Sequence, residues 1–162
     1  MKSNHDAAVT NVMRILTQKR IAYTPHEYAH GSEPVDGITV ASLLGRDPSC
    51  VYKTLVACGA SGAYYVFGIP ADHELQLKKA AKAAGEKSVH MLPLAQLTPL
   101  TGYVRGGCSP IGMKKHFPTF LDRHAAELST VIVSAGRIGR QVELAPADLL
   151  QAADAQLAEL IE

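Results

Sequence analysis

The chain has 162 residues, 47% hydrophobic and 19% charged, with 16 basic against 15 acidic side chains. That length supports one hydrophobic core and is short for two, and the near-neutral balance excludes a globally basic nucleic-acid binder while leaving room for a local patch. No apolar run reaches the length of a membrane span, and aromatics at 6% with no tryptophan argue against a stacking surface for many bases.

The first predicted element is a helix over Asp6–Lys19, with Ala8, Val12, Ile15 and Leu16 on one side and Asn4 as its N-cap. Ile21–Tyr28 follows as a strand, and Pro25 within it suits a sheet edge. His30–Gly37 reads as a loop. Thr39 is placed to cap a short helix, Val40–Leu44, ended by Gly45, and Asp47-Pro48-Ser49 turns the chain. Val51–Cys58 and Ala63–Ile69 read as a hairpin joined through Gly59–Gly62. Leu75–Ala84 is built of strong helix formers and stopped by Gly85, and Pro93–Leu97 opens another short helix. After a glycine-dense loop, Phe117–Asp122, Thr130–Ser134 and Arg140–Leu144 read as strands. Pro146 starts a final helix with Asp148 in its first turn and Ala153, Leu157 and Leu160 on its apolar side. Strand–helix alternation fails in the second half, so the expectation is an α/β fold with a mixed, barrel-like curled sheet and surrounding helices, in a single domain over residues 1–162.

The stretch TGYVRGGCSPIGMKK, Thr101–Lys115, carries the most chemistry. Its glycines and proline rule out a regular helix. They serve either as turn residues or to bring backbone N–H and C=O groups close to a ligand. Arg105 is a candidate anion contact; Lys114 and Lys115 are either a solvated face or phosphate contacts. The spacing is not that of a Walker loop.

Lys53 sits in CVYKTLV and shares a strand face with Val51 and Leu55, whereas Thr54 points the other way. It is either an edge lysine with its stem on apolar surface or a cation held for a ligand. Cys50, Cys58 and Cys108 show no CxxC spacing, and His26, His30, His73 and His90 show no compact ligand spacing. No metal site, disulfide framework or cofactor is expected. Cys108 with His116 or His124 is a weak thiol-nucleophile arrangement, and Ser134, at the end of TVIV, lies in no GxSxG elbow. The polar residues in MKSNHDAAVTNVMR stand where a signal peptide needs its apolar stretch, so a cytoplasmic location is expected.

Six segments, in this order, resemble one family. They are HEY at His26–Tyr28, YKTL at Tyr52–Leu55, LKKAAKAAG at Leu77–Gly85, TGYVRGGCSPIGMKK at Thr101–Lys115, VSAG at Val133–Gly136 and VELAPADL at Val142–Leu149. On them the chain resembles the YbaK/EbsC family of aminoacyl-tRNA deacylases, in its Cys-tRNA(Pro) branch. The resemblance implies a compact mixed barrel-like sheet similar to the editing domain of bacterial prolyl-tRNA synthetase. It implies that Lys53 lies at the terminal adenosine and its phosphate, with Gly106 and Ser134 orienting the reacting groups. Tyr28, Thr54, Arg105, Gly107, Lys114 and Lys115 are the expected substrate contacts. The implied substrates are mischarged Cys-tRNA(Pro) and Cys-tRNA(Cys), bound by the acceptor end. The implied partner is prolyl-tRNA synthetase, and the implied chemistry is release of cysteine through the substrate's own thiol, which would make the enzyme formally a lyase. Relatives usually carry an aromatic–glycine pair where this chain has Asp36-Gly37, and often Arg-Gly where it has Ile138-Gly139. Those departures keep two alternatives open: a deacylase for another mischarged species such as Ala-tRNA(Pro), and a non-catalytic binder of tRNA ends.

Overall fold

In a computed structural model that describes residues 9–162, five α-helices and eight strands are found among the described residues. Helix α1 is Asn11–Gln18, and the Thr10 side chain, not Asn4, caps it by accepting the Met13 amide at 3.2 Å. Asn4 and Ala8 lie outside the described residues. Val12, Met13 and Leu16 are buried at the helical spacing the sequence suggests.

Strand β1, Thr24–Glu27, carries Pro25 at the edge of a three-stranded antiparallel sheet ordered β1-β7-β6, where β7 is Arg140–Leu144 and β6 is Val131–Ser134. Helix α2 spans Gly37–Leu44. Its cap is Asp36, whose carboxylate accepts the Thr39 amide at 2.8 Å, so Thr39 is the recipient of the cap and not its source. Gly45 ends the helix at φ 67°, the left-handed conformation that glycine adopts without strain. A 3₁₀ turn at Pro48–Cys50 leads into β2, Tyr52–Gly59, which pairs with β3, Tyr64–Pro70, as the expected hairpin.

The second sheet has five strands in the order β4-β2-β3-β5-β8, with β4 at Val89–Met91, β5 at Thr119–Asp122 and β8 at Ala155–Ala158. It is mixed: β2 pairs antiparallel with β3 and β4, while β5 runs parallel to both β3 and β8. The two sheets meet at one bridge, Val51 to Ile132, and no closed barrel is found among the described residues. Helix α3, Leu77–Ala84, ends at Gly85 as expected; helix α4, Leu94–Thr101, runs through Pro99 and is longer than its predicted Pro93–Leu97.

The C-terminus corrects the reading most. Helix α5 is Pro146–Ala153 and stops at Asp154, which adopts φ 49°. Leu157 therefore belongs to β8 and not to a continued helix. Pairing with β5 overrides the helix preference of this Ala- and Leu-rich segment.

The core of the three-stranded sheet shows why its two faces differ. Val142 and Leu144 alternate along β7 and join α1, Val131, Val133 and Leu149 of α5 in one apolar cluster. Gln141 and Glu143, at the intervening positions, fall on the opposite face. Ile132 lies on that second face too and packs with Tyr28, Val40, Ala41, Val51 and Ala71. This face looks toward α2 and the start of β2.

Candidate functional site

A cavity of about 710 Å³ opens where α2, the start of β2, the segment after β3 and the glycine loop converge. That is an ordinary size for a small-ligand site. Val51, Lys53 and Leu55, the alternating positions of the β2 entry, all line it, and so does Thr54. Lys53 is half-buried and makes no ion pair or hydrogen bond among the described residues. A cation on an apolar strand without a protein partner is held at a cost that a bound anion offsets.

The glycine loop supplies a second wall. Arg105, Gly106 and Cys108 line the cavity. Gly106 has φ 85°, and a Cβ there would come 2.8 Å from the Pro34 Cβ and 3.5 Å from Ile138 Cγ1. Gly107 lies flat on the backbone of Arg137, where a Cβ would stand 3.1 Å from its Cα. Glycine at these two positions lets the loop seat between the 33–38 segment and the β6–β7 turn. Ile138 thus abuts the loop, and Asp36 lines the cavity while capping α2. Of the two departures from the resembled pattern, Asp36 lines the cavity, and Ile138 touches the loop that walls it without lining it.

Ser134 and Gln141 form the floor from the three-stranded sheet. They are cross-strand partners in the β6–β7 register, both are buried, and both line the cavity. The Gly136 N–H donates to Ser134 Oγ at 3.1 Å, which leaves the Ser134 O–H free to donate elsewhere. Glu33, Asp72, His73 and Glu74 complete the rim, with His73 Nδ1 2.9 Å from Asp72. The rim therefore carries acid on one set of loops, with the cations Lys53 and Arg105 on β2 and the glycine loop.

Burial pushes the Cys108 thiol up to about 12, opposed only by a hydrogen bond to Thr101. A thiol in that state is protonated at neutral pH and is a poor nucleophile. His116 sits 3.3 Å from Asp154, and His124 Nδ1 is bound to Asp122 at 2.6 Å, so each candidate base for Cys108 already holds a carboxylate. No group of three or more His, Cys, Asp or Glu side chains converges on a common point among the described residues.

Of the sequence-derived candidates, Lys53, Thr54, Arg105, Gly106 and Ser134 come together on this cavity. Tyr28 stands one layer behind it, buried against Val40, Val51 and Ala71, its hydroxyl without a hydrogen-bond partner among the described residues. Gly107 supports the loop from its back. Lys114 and Lys115 are exposed outside the cavity: Lys114 Nζ reaches the Pro99 carbonyl at 3.4 Å, and Lys115 borders a separate small cleft with His116 and Asp154. Sequence reasoning missed Gln141 and the Asp72–Glu74 segment. The signal for Gln141 was present in RQVEL, where polar residues alternate with Val142 and Leu144, but only the strand register puts it beside Ser134.

Comparison with known proteins places this geometry in context. A curated protein of Enterococcus faecalis strain V583, EbsC, named as a candidate Cys-tRNA(Pro)/Cys-tRNA(Cys) deacylase, is 46% identical over 151 residues, covering 93% of this chain and 92% of its own. The solved structure of a candidate trans-editing enzyme for prolyl tRNA synthetase superposes with a TM-score of 0.80 at 24% identity, over 93% of this chain and 94% of that one. A hypothetical protein of known structure matches with a TM-score of 0.83 at 25% identity, over 93% of this chain and 99% of that one. The aminoacyl-tRNA editing domain matches residues 33–152, a stretch that contains every residue lining the cavity, from Glu33 to Gln141. With that match and the EbsC identity along nearly its whole length, the chain belongs to the aminoacyl-tRNA editing domain family.

Proposed function

We propose that the chain, acting as one domain over residues 1–162, is a trans-editing deacylase that removes cysteine from mischarged Cys-tRNA(Pro) and from Cys-tRNA(Cys). The observation that carries this reading is Lys53, without an ion pair or hydrogen bond among the described residues, which shares one cavity with Arg105, Gly106 and Ser134. An aminoacylated acceptor end offers phosphates and an adenosine on one side and an α-amino group beside an activated ester on the other. Lys53 and Arg105 suit the phosphates, and the acidic rim suits the amine. The similarity to EbsC, at 46% identity, supports the same substrate class.

Within this reading the protein contributes no nucleophile. The substrate thiol attacks the ester carbonyl carbon, a carbon–sulfur bond forms, and the bond to the ribose oxygen breaks. The thiol proton ends on that ribose oxygen, and a cyclic thiolactone leaves. Positioning supplies much of the acceleration for such an intramolecular attack. Lys53 anchors the terminal nucleotide, and the Gly106 backbone and Ser134 orient thiol and carbonyl. The raised Cys108 pKa supports this division, because it leaves the protein thiol unreactive. Formation of the thiolactone makes the reaction formally a lyase reaction. A cytoplasmic location and a ternary complex with prolyl-tRNA synthetase complete the proposal.

The test is ester loss from Cys-tRNA(Pro) with and without the protein. Acceleration over the spontaneous rate, retained in Cys108→Ala, is the expected result. Loss no faster than spontaneous would sink the reading, and an inactive Cys108→Ala that still folds would reinstate the protein thiol. Asp36 at the cavity and Ile138 against the Gly106 loop that walls it favour one other reading, a preference for a different mischarged species such as Ala-tRNA(Pro). A panel of aminoacyl-tRNAs decides between the two. Binding of tRNA with no deacylation of any member would instead make the chain a non-catalytic binder of tRNA ends.

A further inference from the structure

Gln141 occupies the middle strand of the three-stranded sheet, between His26 of β1 and Ser134 of β6. It is 5% exposed, yet its side-chain amide makes no hydrogen bond among the described residues. An amide buried without partners loses its hydration for nothing, and native structures rarely tolerate that. Its polar atoms are not among those sealed from solvent without a partner, and the residue lines the 710 Å³ cavity, so the amide borders that open space. The neighbours that share its face are already committed. His26 Nε2 is held by Glu143 at 2.8 Å, and Glu143 also takes Arg46 and the Thr130 hydroxyl.

Ser134 is the exception. Its oxygen already accepts the Gly136 N–H, and its own O–H makes no hydrogen bond among the described residues, so that proton is available to donate. Directly paired positions on adjacent antiparallel strands bring their Cβ atoms within roughly 5 Å. A hydroxyl donor and an amide donor therefore stand side by side on the cavity floor. Two neighbouring donors can share one acceptor, and the acceptor that gains charge when a thiol attacks an ester is the carbonyl oxygen.

We infer that Gln141 is a catalytic residue, which with Ser134 donates to the carbonyl oxygen of the aminoacyl ester and stabilises the negative charge that develops there. The inference rests on the deacylase reading. In the step itself the carbon–sulfur bond forms as the carbonyl π electrons move to oxygen. Gln141 Nε2–H and the Ser134 O–H hold that oxygen without transferring a proton. The electrons return as the ribose oxygen departs with the thiol proton. A neutral amide suits this role, since a carboxylate at the same place would repel the oxyanion.

Two variants of similar size test it: Gln141→Glu, which replaces donors by acceptors, and Gln141→Met, which removes both. Single-turnover and steady-state deacylation of Cys-tRNA(Pro) are measured with the unfolding midpoint of each protein. Loss of one such donor lowers kcat on the order of 100-fold, with KM and affinity for uncharged tRNA little changed. Wild-type kcat in both variants overturns the inference, as does a loss confined to KM. A loss of activity that follows a lowered unfolding midpoint in both variants assigns Gln141 to the fold and overturns it equally. If Gln141→Glu fails to fold beside Glu143, the uncharged Gln141→Met carries the decision. A wild-type protein with no deacylation removes the underlying reading, whereas an active wild type with fully active variants removes only this one.

Discussion

Lys53 concentrates the electrostatics of the site, because its ammonium has no ion pair or hydrogen bond among the described residues while its stem lies on an apolar strand between Val51 and Leu55. Replacing it tests the ligand role against the packing role directly. Charge-assisted contacts are worth about 1.5–3 kcal/mol, so Lys53→Ala should lower deacylation tenfold or more with an unchanged denaturant curve. Equal activity would remove Lys53 from the site. A lowered unfolding midpoint with proportionate loss would make it a structural lysine. Lys53 was legible in the sequence because a lone cation in CVYKTLV violates the apolar pattern around it. Gln141 was not, because a glutamine in RQVEL breaks no pattern. Its meaning depends on a register with Ser134, seven residues away across a turn that a one-residue slip would change.

At the scale of elements, local signals and long-range pairing divided the outcome. Gly45 and Gly85 marked true helix ends, whereas the cap expected at Thr39 is made by Asp36, three residues earlier. The segment after Asp154 could not be read locally. Its residues favour a helix, and only the parallel partner β5, more than thirty residues earlier, makes it a strand. Long-range pairing also joins β1 and β7 to the loop after α2 through Glu143. Burial pushes this carboxyl up, but the Thr130 hydroxyl, His26 and Arg46 outweigh burial and hold it below the usual glutamate range. The sign for stability follows. With the folded pKa below the unfolded value near ~4.3, the stabilisation is complete above that value and is lost as pH falls through the folded pKa. Urea midpoints of wild type and Glu143→Gln, followed from neutral pH into the acid range, should converge as pH drops. A gap that stays constant with pH would show that the carboxylate charge is not what holds the three elements together.

The whole molecule places its cavity where two sheets, one helix and one glycine loop meet, and this arrangement limits what it can read in a tRNA. The chain has 16 basic and 15 acidic residues and few aromatics, and Lys53, a cavity cation with no ion pair or hydrogen bond among the described residues, lines a cavity of about 710 Å³. A near-neutral surface gives little of the phosphate-driven affinity that an extended tRNA contact needs. Shape and 2′-hydroxyl recognition along a duplex likewise require a broad groove-facing surface. On the deacylase proposal, the acceptor end is then expected to be the main contact, with the identity of the tRNA body supplied by a partner. The isolated protein should deacylate Cys-tRNA(Cys) about as fast as Cys-tRNA(Pro), within the small factor that equal acceptor-end contacts allow. Addition of prolyl-tRNA synthetase should raise the ratio in favour of Cys-tRNA(Pro), by raising the local concentration of the deacylase at that tRNA. Rates on both substrates, with and without synthetase and at two salt concentrations, check this. A strong preference by the isolated protein that weakens at higher salt would mean that its own surface reads the tRNA body, and would overturn the division of labour.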